Sequence, residues 1–195
     1  MTKRTIEILT RGELDLLLAS CKPHCASGLR DRALLALLYG CGLRISEALA
    51  LRPVDVDLVA GTVRVHNGKG GKARTSGIET RMGTLVGEWV AYRASALRRK
   101  PTEALFCTTS RHGSGEAVQA ACVRQMLARR TSRAGVNKRV HAHGFRHSHA
   151  ANMAAAGIPL NVIQKQLGHS NISTTSLYLD HIQPTQVIAA IRGMG

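Results

Sequence analysis

Aromatic side chains are scarce, at 3% of 195 residues. That scarcity argues against modules that stack unpaired bases on aromatic platforms. No apolar run approaches the roughly 18 residues of a membrane span. No helical stretch pairs a wet basic face with an aromatic-rich one, so a membrane-surface role is not expected. The five cysteines (Cys21, Cys25, Cys41, Cys107 and Cys122) are odd in number, which argues against a disulfide framework. Cys21, His24 and Cys25 lie close together, but no fourth ligand stands at metal-site spacing. They read as a polar turn, and no metal or other cofactor is expected. The first residues carry Glu7, Glu13 and Asp15 where a secretory signal needs a plain apolar stretch. A cytoplasmic protein is the expectation. There is no internal repeat, low-complexity tract or long linker.

Carboxylates are also few. Lys plus Arg is 27 against 12 Asp plus Glu, a net charge of +15. The imbalance is uneven: residues 1–97 carry a net +5 and residues 98–195 a net +10, with no carboxylate between Glu116 and Asp180. Such an excess points to a polyanion, and with so few aromatics to duplex DNA gripped through its phosphates. The length suits one domain, large enough to bury roughly 70% of its unfolded surface.

Hydrophobic period predicts the elements. Thr10 and Glu13 make a capping-box pattern ahead of Leu14, Leu17 and Leu18, so a helix is expected at about 11–21. Further helices are expected at 29–40, from GLRISEALAL to just before Pro53, and at 80–97 and 116–134. HGFRHSHAANMAAAG should be helical to Gly157, and a short helix should run from Pro159 to Gly168. Two more are expected, in NISTTSLYLDHI and at 184–193. Alternation with glycine-rich breaks predicts strands near 54–58, 62–66 and 73–78, with NGKGGK as the last turn. The fold class is therefore mainly α with a small antiparallel three-stranded sheet (α+β). It is read as a single domain over 1–195.

Four places concentrate groups that bind or attack phosphate. Arg44 follows a glycine turn at a helix start, where a guanidinium and backbone N–H groups can hold an anion. Lys69 sits in GKGGK, which lacks the P-loop pattern and joins two strands. His143, Arg146 and His147 share one helical face in HGFRH. The zincin reading of HxxxH fails at Gly144, where that motif needs Glu. His169 lies at a helix break, and Tyr178 follows nine residues on.

Taken in order and spacing, GLRISE, VHNGKGGKAR, HGFRH and LGHSNISTTSLY resemble the catalytic domain of tyrosine recombinases, the phage-integrase family, and of its short single-domain members in particular. The resemblance spans nearly the whole chain. It implies that Arg44 and Arg146 clamp the scissile phosphate and that Glu47 supports the site. It also implies that Lys69 protonates the leaving 5′-hydroxyl, with Lys72 as fallback, that His143 and His169 are the two histidines, and that Tyr178 is the nucleophile. Lys72, Arg74, Arg124, Arg129, Arg130, Arg133 and His147 are expected to contact DNA, with the four α-helical arginines of 116–134 on that helix's outer face.

The residue types suit the chemistry. Two guanidiniums offer paired donors to an anionic phosphodiester as charge builds in the transition state. Tyrosine, with a free pKa of about 10, is mostly neutral at pH 7, and a cationic pocket with a neutral imidazole favours its phenolate. A lysine can protonate the leaving alkoxide. A covalent 3′-phosphotyrosine then conserves the bond for strand transfer without ATP or metal. The implied function is site-specific recombination of double-stranded DNA by a homo-oligomer, a tetramer on DNA, with the helix 184–193 either joining neighbouring subunits or packing on its own domain. The alternatives are a non-catalytic DNA-binding regulator on the same fold, a type IB topoisomerase-like relaxer and, distantly, a zinc protein.

Overall fold

The computed structural model describes residues 8–66, 73–95, 102–109 and 115–168. Its first helix, α1 (Arg11–Ala19), starts at the expected capping box. The Thr10 hydroxyl accepts from the Glu13 N–H at 3.2 Å, and Glu13 Oε2 accepts from the Thr10 N–H at 2.8 Å. Leu14, Leu17 and Leu18 form its buried stripe. Cys25 then caps α2 (Ala26–Gly40), which starts three residues earlier than the apolar run alone implied. From Ala33 to Gly40 every residue of α2 is buried, so this helix is the axis of the core.

Helix α3 (Ile45–Leu49) follows the Gly42 turn, and a 3₁₀ turn (Pro53–Asp55) leads into the sheet. Strands β1 (Val56–Asp57), β2 (Thr62–Val65) and β3 (Arg74–Gly77) pair antiparallel in the order β1-β2-β3. Val63 opposes both Val56 and Ser76, and Val65 opposes Arg74. Helix α4 (Thr80–Ser95) packs on α2, where a Cβ on Gly40 would meet Met82 at 2.8 Å, so glycine lets the two helices approach. Trp89 of α4 is fully buried, and its indole N–H donates to the Leu105 carbonyl at 2.9 Å. Cys107 forms an isolated antiparallel bridge to Ala117.

Helices α5 (Ala120–Arg133), α6 (Ala142–Ala155) and α7 (Leu160–Leu167) complete the described fold. Gly168 ends α7 at φ 67°, a left-handed cap. Among the described residues, seven helices and one three-stranded antiparallel sheet give the expected mainly α, α+β class. The helices expected at 171–182 and 184–193 lie outside the described residues. No helix among the described residues is long and apolar enough to cross a membrane.

Candidate active site

The site is built where the turn before α3, strand β3, and the starts and ends of α6 and α7 meet. Gly42 makes the turn possible. Its φ is 62°, and a Cβ there would stand 2.7 Å from Leu167 and 2.9 Å from His149. Its carbonyl accepts from Arg146 Nη1 at 2.7 Å. Two residues on, Arg44 occupies the N-cap of α3, and Glu47 reaches back to accept from the Arg44 N–H at 2.9 Å.

Glu47 is the hub. Its Oε1 accepts from Arg44 Nη1 at 2.6 Å and from Arg74 Nη1 at 2.9 Å, while Oε2 accepts from Arg74 Nη2 at 2.9 Å. Arg146 Nη1 stands 3.9 Å from Oε2. Burial alone would push this carboxyl up, but hydrogen bonds from Arg74, from the Arg44 N–H and from the Arg44 side chain hold it down at about 2. Three guanidiniums thus share one carboxylate and leave a net positive site. Their exposures differ in a way that sorts their roles. The side chain of Arg44 is 31% exposed, that of Arg74 10% and that of Arg146 1%. Arg44 is the cation most open to an incoming anion.

Arg146 comes from the second turn of α6 and ties two elements together, donating to the Gly42 carbonyl and to the Leu167 carbonyl. His143 lies one turn earlier, exposed, with its ring 4.2 Å from that of His147 in an edge contact. Partial desolvation lowers the His143 pKa, and the charges of Arg146, His141 and Arg44 lower it further. The imidazole is therefore neutral at pH 7, able to accept a proton beside two guanidiniums. Chemically, the arrangement offers donors for a phosphate and a base at its edge.

The structure brings Arg44, Glu47, His143 and Arg146 together as the motifs implied, with His147 beside His143. Lys69, Lys72, His169 and Tyr178 lie outside the described residues. Arg124, Arg129 and Arg133 are exposed on α5. Arg130 is a correction: it is 7% exposed and faces inward. Its position continues the stripe Val123, Met126 and Leu127, and its Nε and Nη2 donate to the buried Asp31 at 3.2 and 2.6 Å. Arg74, also expected to contact DNA, is 10% exposed and donates to Glu47 and to the Gln166 carbonyl. Strand alternation was the available signal, since it places Arg74 on the same side as the buried Ser76. Two further side chains at the site, His149 and Gln166, carried no signal in the sequence. Burial pushes the His149 pKa down to about 4. Among the described residues no three His, Cys, Asp or Glu side chains converge as metal ligands.

Comparison with known proteins gives a consistent picture. The phage integrase family profile matches residues 7–183. A tyrosine recombinase XerD of Ralstonia nicotianae is 36% identical over 180 residues, covering 90% of this chain and 56% of the relative. A XerD of Staphylococcus aureus is 34% identical over 190 residues, covering 95% and 61%. The chain thus spans less than two thirds of the length of these relatives. Among solved structures, a XerH site-specific recombinase bound to a palindromic difH substrate in a post-cleavage complex matches at TM-score 0.76 and 27% identity, over 95% of this chain and 52% of that one. The XerA recombinase matches in fold at TM-score 0.80 and 22% identity, over 100% and 65%. The catalytic domain of bacteriophage HP1 integrase matches in fold at 0.62 and 21%, over 96% and 95%.

Proposed function

The chain belongs to the phage integrase family, and on that premise we propose that it cuts and rejoins duplex DNA at a defined site through a covalent phosphotyrosine. The observation that carries the reading is the convergence of Arg44 and Arg146 on one carboxylate with a neutral His143 beside them. Arg44 and Arg146 hold the scissile phosphate, and Glu47 fixes their geometry. Tyr178 attacks the phosphorus and forms a 3′-phosphotyrosine, its proton passing to His143 or His169. Lys69, with Lys72 as substitute, gives a proton to the departing 5′-oxygen. In the second half a 5′-hydroxyl attacks the phosphotyrosine and releases the tyrosine. The XerH structure, solved on its DNA substrate after cleavage, supports this reading of a relative at 27% identity.

The rest of the basic surface, including the exposed Arg124, Arg129 and Arg133, grips the backbone, and His147 lies near enough to His143 to join the phosphate face. Residues 1–195 act as one catalytic domain, working as a homo-oligomer on DNA, a tetramer joined through residues 184–193. The partner is double-stranded DNA in the cytoplasm.

A nicked suicide duplex carrying the cognate site tests the chemistry. Wild type should leave a denaturation-resistant protein–DNA adduct and Tyr178→Phe none. Equal absence of adduct from both on a proven site would remove the enzymatic reading in favour of a non-catalytic DNA binder. Relaxation of supercoiled plasmid lacking any defined site would favour the topoisomerase-like reading instead.

A further inference from the structure

Among the described residues β3 is an edge strand, and a side chain lies along its outer side. The Gly77 N–H donates to Gln166 Oε1 at 2.9 Å, and Gln166 Nε2 donates to the Gly77 carbonyl at 2.9 Å. The Gln166 amide therefore presents the donor and acceptor of a peptide group, as a neighbouring strand would. A second tie lies three residues back along β3, where Arg74 Nε donates to the Gln166 carbonyl at 3.2 Å. Gly168 completes the fit, since a Cβ there would stand 2.8 to 3.0 Å from the Arg74 side chain. Gln166 Nε2 also lies 3.3 Å from His149 Nε2, on α6.

These contacts join the parts of the candidate site that differ in origin. Arg74 is the bidentate partner of Glu47, which holds Arg44. Leu167, adjacent to Gln166, supplies the carbonyl that receives Arg146. A shift of the last turn of α7 along β3 would move that carbonyl and Arg74 together. We propose that Gln166 is a positioning residue: its two-point pairing with Gly77 fixes α7 on the sheet and so sets the spacing of Arg44 and Arg146. This rests on the reading that those two arginines hold the phosphate.

The test uses the full chain and reads two quantities. The first is hydrogen exchange at the Gly77 amide. Gln166→Leu should lose the protection that wild type shows there, and unchanged protection would overturn the contact. The second is single-turnover cleavage of the suicide duplex at saturating DNA. Gln166→Leu should cleave about 10- to 100-fold more slowly with DNA affinity within about two-fold, as misplacement by around 1 Å implies. Cleavage within about two-fold of wild type would overturn the positioning role.

Gln166→Glu, which keeps the size, decides the matter if the leucine variant folds poorly. Its carboxylate can accept from Gly77 but cannot donate, so the defect relative to wild type should shrink as pH falls and the carboxyl gains its proton. A defect that does not change with pH would overturn the proposal. A wild type that forms no adduct on a proven site, while Gly77 protection still depends on Gln166, would refute the phosphate chemistry and not the contact.

Discussion

Glu47 shows what a single residue can be asked to do. It is buried and bound by Arg44 and Arg74, with Arg146 at 3.9 Å. Its pKa of about 2 lies below the ordinary 4.5. Its contribution to stability is therefore complete above about pH 4.5 and is lost as pH falls through 2. The shift corresponds to roughly 3 kcal/mol of that dependence, and Glu47→Gln should flatten the acid limb of a denaturant-midpoint profile over that window. Glu47→Ala strands buried guanidiniums and should cost about 3–5 kcal/mol in urea unfolding. At His143 the pKa lies below 6.5, so the imidazole stays a base into mildly acid solution. With His143 as the proton acceptor, the acid limb of the cleavage profile should fall below pH 6.5 and His143→Gln should remove it, whereas a limb that survives assigns the proton to His169.

Among elements, α5 separates two kinds of arginine that composition cannot. Arg130 and Arg30 both bind Asp31, which is 2% exposed, and Arg130 Nη1 also donates to the Ser20 carbonyl at 2.7 Å. This network pins α5 to α2 and to the end of α1. Arg130→Ala should destabilise the fold by about 3–5 kcal/mol, because a buried carboxylate loses its main counter-charge. Arg129→Ala, one residue away and exposed, should change stability by less than about 0.5 kcal/mol. Thermal unfolding of the two variants side by side checks the contrast. The period of the stripe, Val123, Met126, Leu127 and Arg130, was present in the sequence. A count of basic residues on a supposed outer face hid it.

For the whole molecule, a net charge of +15 divides into cations spent inside and cations left outside. Arg74, Arg130 and Arg146 belong to the interior, while Arg124, Arg129 and Arg133 remain on the surface. Under the proposed function, the surface group sets the salt dependence of DNA binding. Affinity should fall steeply between low and moderate salt, and each of Arg124→Ala, Arg129→Ala and Arg133→Ala that contacts a phosphate should lower the log–log slope by about one. Arg44→Ala should instead slow cleavage strongly with little change in that slope, since one cation among many contributes little to overall binding.

Local rules were enough to place the described elements, though not all of their ends. The Thr10–Glu13 box, the all-apolar run of α2, the alternation of β2 and the glycine stop of α7 are properties of neighbours along the chain, and hydrophobic period reads them directly. The order and spacing of GLRISE and HGFRH likewise placed Arg44, Glu47, His143 and Arg146 in one family pattern before any contact was known. Long-range pairing had no such signature. Arg74 meets Glu47 across 27 residues, Gln166 meets Gly77 across 89, and Arg130 meets Asp31 across 99. A charged or amide side chain reads the same in sequence whether it faces water or a buried partner. Only packing, which removes water and forces each buried polar group to find a partner, decided which of them serve the site and which hold the fold.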